Sequence, residues 1–495
     1  MTLLYEWLDH STDEYGNAKA LVYRDNYLSW RGLKHRVDRR AQEFQAMGVK
    51  EGDWVGLMLG NVPDFVILAL GLSRLAVTVV PIDPTTSSRE FDLVMDTVPL
   101  RALITRPRGT ETQPVPIVTA EPARRPPVKK APSRVDLPES RRRLQGTLLT
   151  CSMFKRPAPD YGVLPEVVML TSDSLGDPKA VLRTRENLEA EAKVLTRALE
   201  IDAETKILTA VPLFHAYGWD FGFLVAMKNG STLHIEEELS AKRVAKILRE
   251  QEVDVLPGTP PLYAGLAKTP TAKSMRQKGA RPRYLAAGSP LDEETAEAFR
   301  ERYGIKLMSA YHTTETGAIA ADLASKAPGS VGKVLDGVDV KLTGVDGGKV
   351  ATSEKGVIWV RGPSVSRRSI GPYDVAPVRP GRVPIGGRDD GGWYRTGDLG
   401  RFDKAGRLYL AGREDDLVKV DGKRVALGEV EGCLEKFPKV KQAQALVHTD
   451  PLAGQMIVAK VVTAAKCRAE ELIDHCARNL APYKVPRRIE FCEHL

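Results

Sequence analysis

The stretch that decides the fold is Val167-Val-Met-Leu-Thr-Ser-Asp-Ser-Leu-Gly-Asp-Pro-Lys-Ala-Val181, an apolar run that ends in a small polar turn. The run reads as a buried strand. The turn holds Thr171, Ser172, Ser174, Gly176 and Lys179, which offer hydroxyls, backbone N–H groups and one cation to a polyphosphate. The GxxxxGK[ST] spacing of a Walker A loop is absent, and a turn of this composition can equally be an ordinary connection. Its neighbours decide between the two readings.

Upstream, residues 18 to 105 alternate helical and strand patterns. Leu33, Val37, Ala41, Phe44 and Met47 recur at helical spacing up to a stop at Gly48. Asp53 to Leu59 reads as a buried strand, Pro63 to Leu75 as a helix and Val77 to Ile82 as another strand. The rhythm resumes downstream, with helices over 186–199 and 241–252 and strands over 206–211, 253–256 and 283–287. Such alternation predicts an α/β fold, a large N-terminal domain of parallel-rich αβα sheets over residues 1–412. From about residue 331 short β segments with Gly turns predict a small β-barrel-like subdomain reaching residue 412. A small mobile α+β C-terminal domain, 413–495, follows, with a helix over 430–437 and a strand over 456–462. The polar run Arg413-Glu-Asp-Asp416 between them is the expected hinge.

A chain of 495 residues, 42% hydrophobic, exceeds what one core usually supports. Mean hydropathy is −0.25, no run of 18 uncharged apolar residues occurs, and the first residues lack a basic segment. The expectation is a cytoplasmic protein with neither membrane span nor signal peptide. Five scattered cysteines without a CxxC pair fit reduced thiols better than disulfides or a zinc site. The net charge of +8 collects in a Pro-rich basic loop over 106–158, read as solvated and flexible. Few aromatics interleave with its cations, which disfavours nucleic acid but allows attraction of a nucleotide, coenzyme A or an acidic carrier protein.

Seven motifs in order then make the pattern specific. They are Leu170 to Val181, Pro212-Leu-Phe-His-Ala-Tyr-Gly, Ala286-Ala-Gly-Ser-Pro-Leu, Tyr311-His-Thr-Thr-Glu-Thr-Gly, Tyr394-Arg-Thr-Gly-Asp-Leu, Gly412 to Val425 and Pro482-Tyr-Lys-Val-Pro. Together they resemble the adenylate-forming superfamily of acyl-CoA synthetases, luciferases and peptide-synthetase adenylation domains. The resemblance covers nearly the whole chain. It implies ATP, Mg²⁺ and coenzyme A as cofactors, and activation of an aryl or hydrophobic fatty acid to an adenylate and then a thioester. A stand-alone enzyme loading a carrier protein, or a degenerate nucleotide-binding protein, are the alternatives.

The resemblance also implies roles. Thr314 would meet the α-phosphate and Glu315 the Mg²⁺, a hydroxyl and a hard oxygen suited to those tasks; a helix-capping Thr-Thr-Glu is the plainer reading. Gly288, Ser289, Pro290, Tyr311, His312 and Thr313 would frame the nucleotide, with Tyr311 stacking on adenine. Asp398 and Arg413 would hold the ribose. The acid pocket would form from His215, Ala216, Trp219, Gly258, Thr259, Tyr263, Ala286, Ala287, Gly288, His312 and Thr313, with His215 a wall or gate. Where amino-acid-activating relatives carry an Asp this chain has Ala216, which argues against an α-amino acid. Asp220 is placed either against a polar substituent or in solvent. Asp415 would be the hinge, and Lys419 and Gly422 would lie on the loop presented to the thiol's pantetheine.

Three departures stand out. Asp173 and Ala180 replace glycines of the phosphate turn, and an Asp facing a triphosphate repels it. Replacing Asp173 by Gly is expected to lower the KM for ATP; an unchanged or higher KM would place that side chain elsewhere. His312 replaces a glycine and puts bulk in the pocket. The last residues, Glu493-His-Leu495, precede the point where relatives carry an adenylating Gly-Lys, so the C-terminal domain reads as truncated and the 495-residue chain is expected to adenylate poorly.

Overall fold

Apolar strands alternating with amphipathic helices build two large sheets whose shared faces carry the core. The computed structural model of the chain describes residues 2–106, 140–145, 147–156, 158, 161–172, 178–269, 282–324, 327–344, 347–351, 353–371, 387–413, 418–420, 423–425, 427–450 and 454–492. Among them, eight strands form one sheet in the order Arg368–Ile370, Pro178–Thr184, Pro165–Ser172, Thr78–Ile82, Trp54–Met58, Ala102–Thr105, Thr150–Met153 and Ser140–Arg143. Trp54–Met58 lies parallel to both Thr78–Ile82 and Ala102–Thr105. These inner strands are buried along their whole length, which is why they read as continuous apolar runs without alternation.

A second sheet of nine described strands runs from Lys333–Val334 through Met308–Thr313, Arg283–Ala286, Val255–Gly258 and Lys206–Thr209 to Asn26–Ser29. Its centre is parallel as well. Trp219 packs edge-on against Phe65 and Phe223 in the core, with ring centroids 6.1 and 4.8 Å away. Burying a side chain of this size contributes roughly 1.5–3 kcal/mol.

The β-rich subdomain is an antiparallel sheet of Asp339–Thr343, Gly356–Arg361, Tyr394–Phe402 and Leu408–Arg413. Among the described residues it is a four-stranded sheet, fewer than the roughly eight strands of a filled barrel. Residues beyond it form the short hairpin Val418–Val420 and Lys423–Val425, and then a sheet of Val440–Asp450, Gly454–Thr463 and Arg488–Phe491. The helices Leu427–Glu435 and Ala469–Asn479 cover that sheet around Val430, Leu434, Leu472 and Cys476. All five cysteines are free thiols.

One expectation is corrected. The basic segment is not a loop throughout: Ser140–Arg143 pairs with Thr150–Met153 at the edge of the first sheet. Cys151 and Met153 bury one side of this hairpin, while Arg141, Arg142 and Arg143 stay exposed. A row of cations on an edge strand discourages pairing with other strands. Residues 107–139 lie outside the described residues, as does the hinge residue Asp415.

Candidate active site

Two hairpin ends meet at the site. In the first, Pro165–Ser172 pairs antiparallel with Pro178–Thr184 and sets Thr171 opposite Lys179, so the strand of the polar turn leads into another strand. Asp173, Ser174, Gly176 and Gly422 lie outside the described residues, as do the side chains of Ser172 and Lys419. The second hairpin joins Met308–Thr313 to Gly317–Ala321 through Thr314, Glu315 and Thr316. Its turn is tied from three sides. The hydroxyls of Thr313 and Thr316 lie 3.0 Å apart, Ser364 Oγ donates to Thr316 O at 2.9 Å, and Ser366 N donates to Glu315 O at 2.8 Å. No helix follows, so the capping reading of Thr-Thr-Glu falls away. Gly317 is required here: its φ is +75°, and a Cβ would come within 2.0 Å of Glu191 Oε2.

The two turns bring opposite charges together. Lys179 Nζ lies 3.5 Å from Glu315 Oε1 and 3.3 Å from Tyr394 Oη, and Glu315 is buried. A lysine and a carboxylate so placed can share a triphosphate and its Mg²⁺ between them. Beside them Tyr311 Oη donates to Asp398 Oδ2 at 2.5 Å, and Arg413 Nη1 to Asp398 Oδ1 at 2.7 Å. Asp398 and Arg413 are cross-strand partners in the β-rich sheet, which explains a pairing across 15 residues of chain. The expected adenine and ribose residues therefore converge on one carboxylate.

A cavity of about 180 Å³ adjoins these turns. Its wall includes Phe214, His215, Ala216 and Tyr217, then Ala287 and Gly288, then His312, Thr313 and Thr314. Lys423, Tyr483 and Lys484 close it from the C-terminal side. Six of the eleven expected pocket residues thus meet around one space, with Thr171 and Thr314 beside them. Five others do not line it. Trp219 is fully buried in the core, because the turn of helix after Ala216 carries it away. Tyr263 is fully buried too, donating to Leu256 O at 2.7 Å and Leu285 O at 3.1 Å. Gly258 sits beneath Tyr217, whose hydroxyl reaches its carbonyl at 3.3 Å. Thr259 is the N-cap of the helix Pro260–Lys268. Ala286 ends a strand, with Ser289 half-buried and Pro290 exposed on the turn beyond.

His215 Nε2 is buried without a partner among the described residues. Burial, then the Lys423 cation, push its pKa down to about 4, so the ring stays neutral at physiological pH.

A buried cluster lies behind His312, and composition alone did not reveal it. Arg183 Nη1 donates to both Asp220 oxygens at 2.7 Å, and His312 Nε2 lies 2.9 Å from Asp220 Oδ2. Asp220 therefore faces neither a substituent nor solvent. Glu191, Asp220 and His312 bring ligand atoms within 4.8 Å of one another, but the Arg183 guanidinium already supplies the cation there. The signals were present: an arginine inside the apolar run Ala180-Val-Leu-Arg183, and a glutamate on the apolar stripe Leu188, Ala192 and Leu195.

Burial, then the Asp220 charge, push Glu191 up to about 8, from an ordinary 4.5. The folded state holds the extra proton, so this stability is full below the unfolded value and is lost as pH rises through the folded one, on the order of a few kcal/mol. Glu191→Gln is expected to flatten that decline in urea midpoints taken between about pH 5 and 8. An unchanged slope would show that Glu191 ionises without cost.

The C-terminal segment docks through ion pairs. Lys423 pairs with Asp83, and Lys484 lies 2.8 Å from Glu90 and 3.1 Å from Glu429. Burial alone would lower the Lys484 pKa, but Tyr483, Glu90 and Glu429 outweigh it and raise it above the usual lysine range.

Joining an acid to a thiol at the expense of ATP takes a phosphate-binding turn, a seat for the nucleoside and a pocket that a second domain can close. Fold and site together define the class, an AMP-forming acid–thiol ligase. The family model described as AMP-binding enzyme matches residues 8–368, and the AMP-binding enzyme C-terminal domain matches 429–495. The chain belongs to that family. A feruloyl-CoA synthase from Amycolatopsis sp is 28% identical over 489 residues, spanning 97% of this chain and 93% of the relative. A double mutant of o-succinylbenzoate CoA synthetase from Bacillus subtilis, bound to a product analogue, superposes with a TM-score of 0.78 at 24% identity, covering 99% of this chain and 94% of that one. The same enzyme with AMP gives 0.66, at 24% identity over 99% and 95% of the two chains.

Proposed function

We propose that the chain activates an aryl carboxylic acid with ATP and transfers it to coenzyme A. The acid's carboxylate attacks the α-phosphorus, forming an acyl-adenylate and releasing pyrophosphate. The thiol then attacks the adenylate carbonyl and AMP leaves. In-line positioning and charge neutralisation carry the first step; Thr314 and Lys179 would meet the phosphates, and Glu315 would hold the Mg²⁺ that offsets their charge. Asp398 and Arg413 would seat the ribose and Tyr311 the adenine, and the family resemblance assigns Lys419 and Gly422 to the loop presented to the thiol.

The observation that carries this reading is the cavity between the Glu315 hairpin and the C-terminal residues Lys423 and Tyr483. Its volume suits one substituted ring, since a dry cavity of about 150 Å³ accepts benzene. Phe214, Tyr217 and His312 supply aromatic walls. The higher TM-score against the product-analogue complex than against the AMP complex supports reading this arrangement as the thioester-forming one. Incubation with ATP, Mg²⁺, coenzyme A and matched aryl and aliphatic acids tests it by mass spectrometry. Aroyl-CoA is the expected product. Thioester with a holo carrier protein but none with free coenzyme A would overturn the assignment of the thiol.

A further inference from the structure

We propose that Asp220, held by Arg183, is a positioning residue that fixes the tautomer of His312, so that the pocket selects carboxylic acids bearing a hydrogen-bond donor such as a hydroxyl or amino group. The inference rests on the ligase reading above and names its substrate class. Asp220 accepts two bonds from Arg183 at 2.7 Å and is fully buried, so its carboxylate cannot turn away. Its Oδ2 lies 2.9 Å from His312 Nε2. A carboxylate only accepts, so Nε2 carries the hydrogen, and a neutral imidazole then keeps Nδ1 as a lone-pair acceptor.

The ring cannot exchange its edges freely. Phe221 meets it edge-on with centroids 5.7 Å apart, and Tyr217 lies 6.1 Å away. His312 lines the cavity beside His215, Thr313 and Thr314, and its remaining nitrogen adds an acceptor to that wall. The Tyr217 hydroxyl is already engaged by the carbonyls of Gly258 and Leu285, at 3.3 and 3.0 Å. Asp220 owes its place to the π-helical turn Trp219–Leu224, an irregularity often found at functional positions.

The test compares hydroxy- and amino-substituted benzoic acids with their methyl isosteres at about pH 8, following pyrophosphate release. Wild type is expected to prefer the donor-bearing acid by at least about tenfold in kcat/KM. His312→Phe should bring that ratio near one. His312→Asn, which sets an amide roughly where Nδ1 stood, should restore part of it. Asp220→Asn should raise KM for the donor-bearing acid more than for its isostere; should that buried variant not fold, the two His312 variants decide. A wild-type ratio near one, or a preference that survives His312→Phe, overturns the inference while pyrophosphate release continues. Absence of release with every acid, together with absence of thioester from a supplied aroyl-adenylate and coenzyme A, takes down the ligase reading and this inference together.

Discussion

Glu315→Ala is expected to slow ATP-dependent pyrophosphate release by about 10²–10³-fold, the usual cost of deleting one preorganised electrostatic partner of a transition state. The carboxylate lies 3.5 Å from Lys179 in a buried turn and supplies a hard oxygen there. The loss should fall on chemistry more than on folding. The turn is held by backbone and hydroxyl bonds from Ser364, Ser366 and Thr313, none of which uses the Glu315 side chain. Steady-state rates over a Mg²⁺ titration, beside a thermal melt, separate the two effects. An unchanged rate at saturating Mg-ATP would remove Glu315 from the metal site.

Lys484→Met should cost about 3–5 kcal/mol, because it empties a buried position of the cation that the half-buried carboxylates of Glu90 and Glu429 share. Lys484 is 3% exposed and serves Glu429 on its own side and Glu90 across the domain contact. Glu90 also closes the capping box of the helix Ser88–Thr97, accepting from Ser87 N at 3.1 Å, so its position is fixed and it cannot relax into solvent. The deficit should appear as a lower urea midpoint. Adding Glu90→Gln removes one of the stranded charges and should recover part of the loss, a coupling that a double-mutant cycle measures directly. A single variant with the wild-type midpoint would falsify the argument.

The docked arrangement also bears on turnover. Both pins, Lys423 with Asp83 and Lys484 with Glu90, join residues of the C-terminal segment to the first sheet's side of the cavity. If the C-terminal domain rotates between half-reactions, these pairs must open and re-form at each cycle.

Much of the architecture was legible because it rests on short-range physics. The inner strands announce themselves as apolar runs, the helices by their spacing, and the turns by glycine and hydroxyl residues. Thr314 and Glu315 were found the same way, on a motif whose order along the chain carries the information. Arg141–Arg143 went astray because a charged run resembles a solvated loop until its hydrogen-bonding partner, Thr150–Met153, is in view.

What only the tertiary structure decided is how distant charges are paired. In sequence Asp220 reads as facing either a polar substituent or solvent, yet it is buried between Arg183 and His312, 37 and 92 positions away. Trp219 and Tyr263 belong to the core although the family resemblance places them in the acid pocket. Lys423 finds Asp83 across 340 residues. Sequence alone determined the family motifs, the α/β alternation and the polar connection between Thr171 and Lys179, since each depends on neighbours along the chain. The walls and polarity of the acid pocket depend on which side chains lose water together, and only the packed fold sets that.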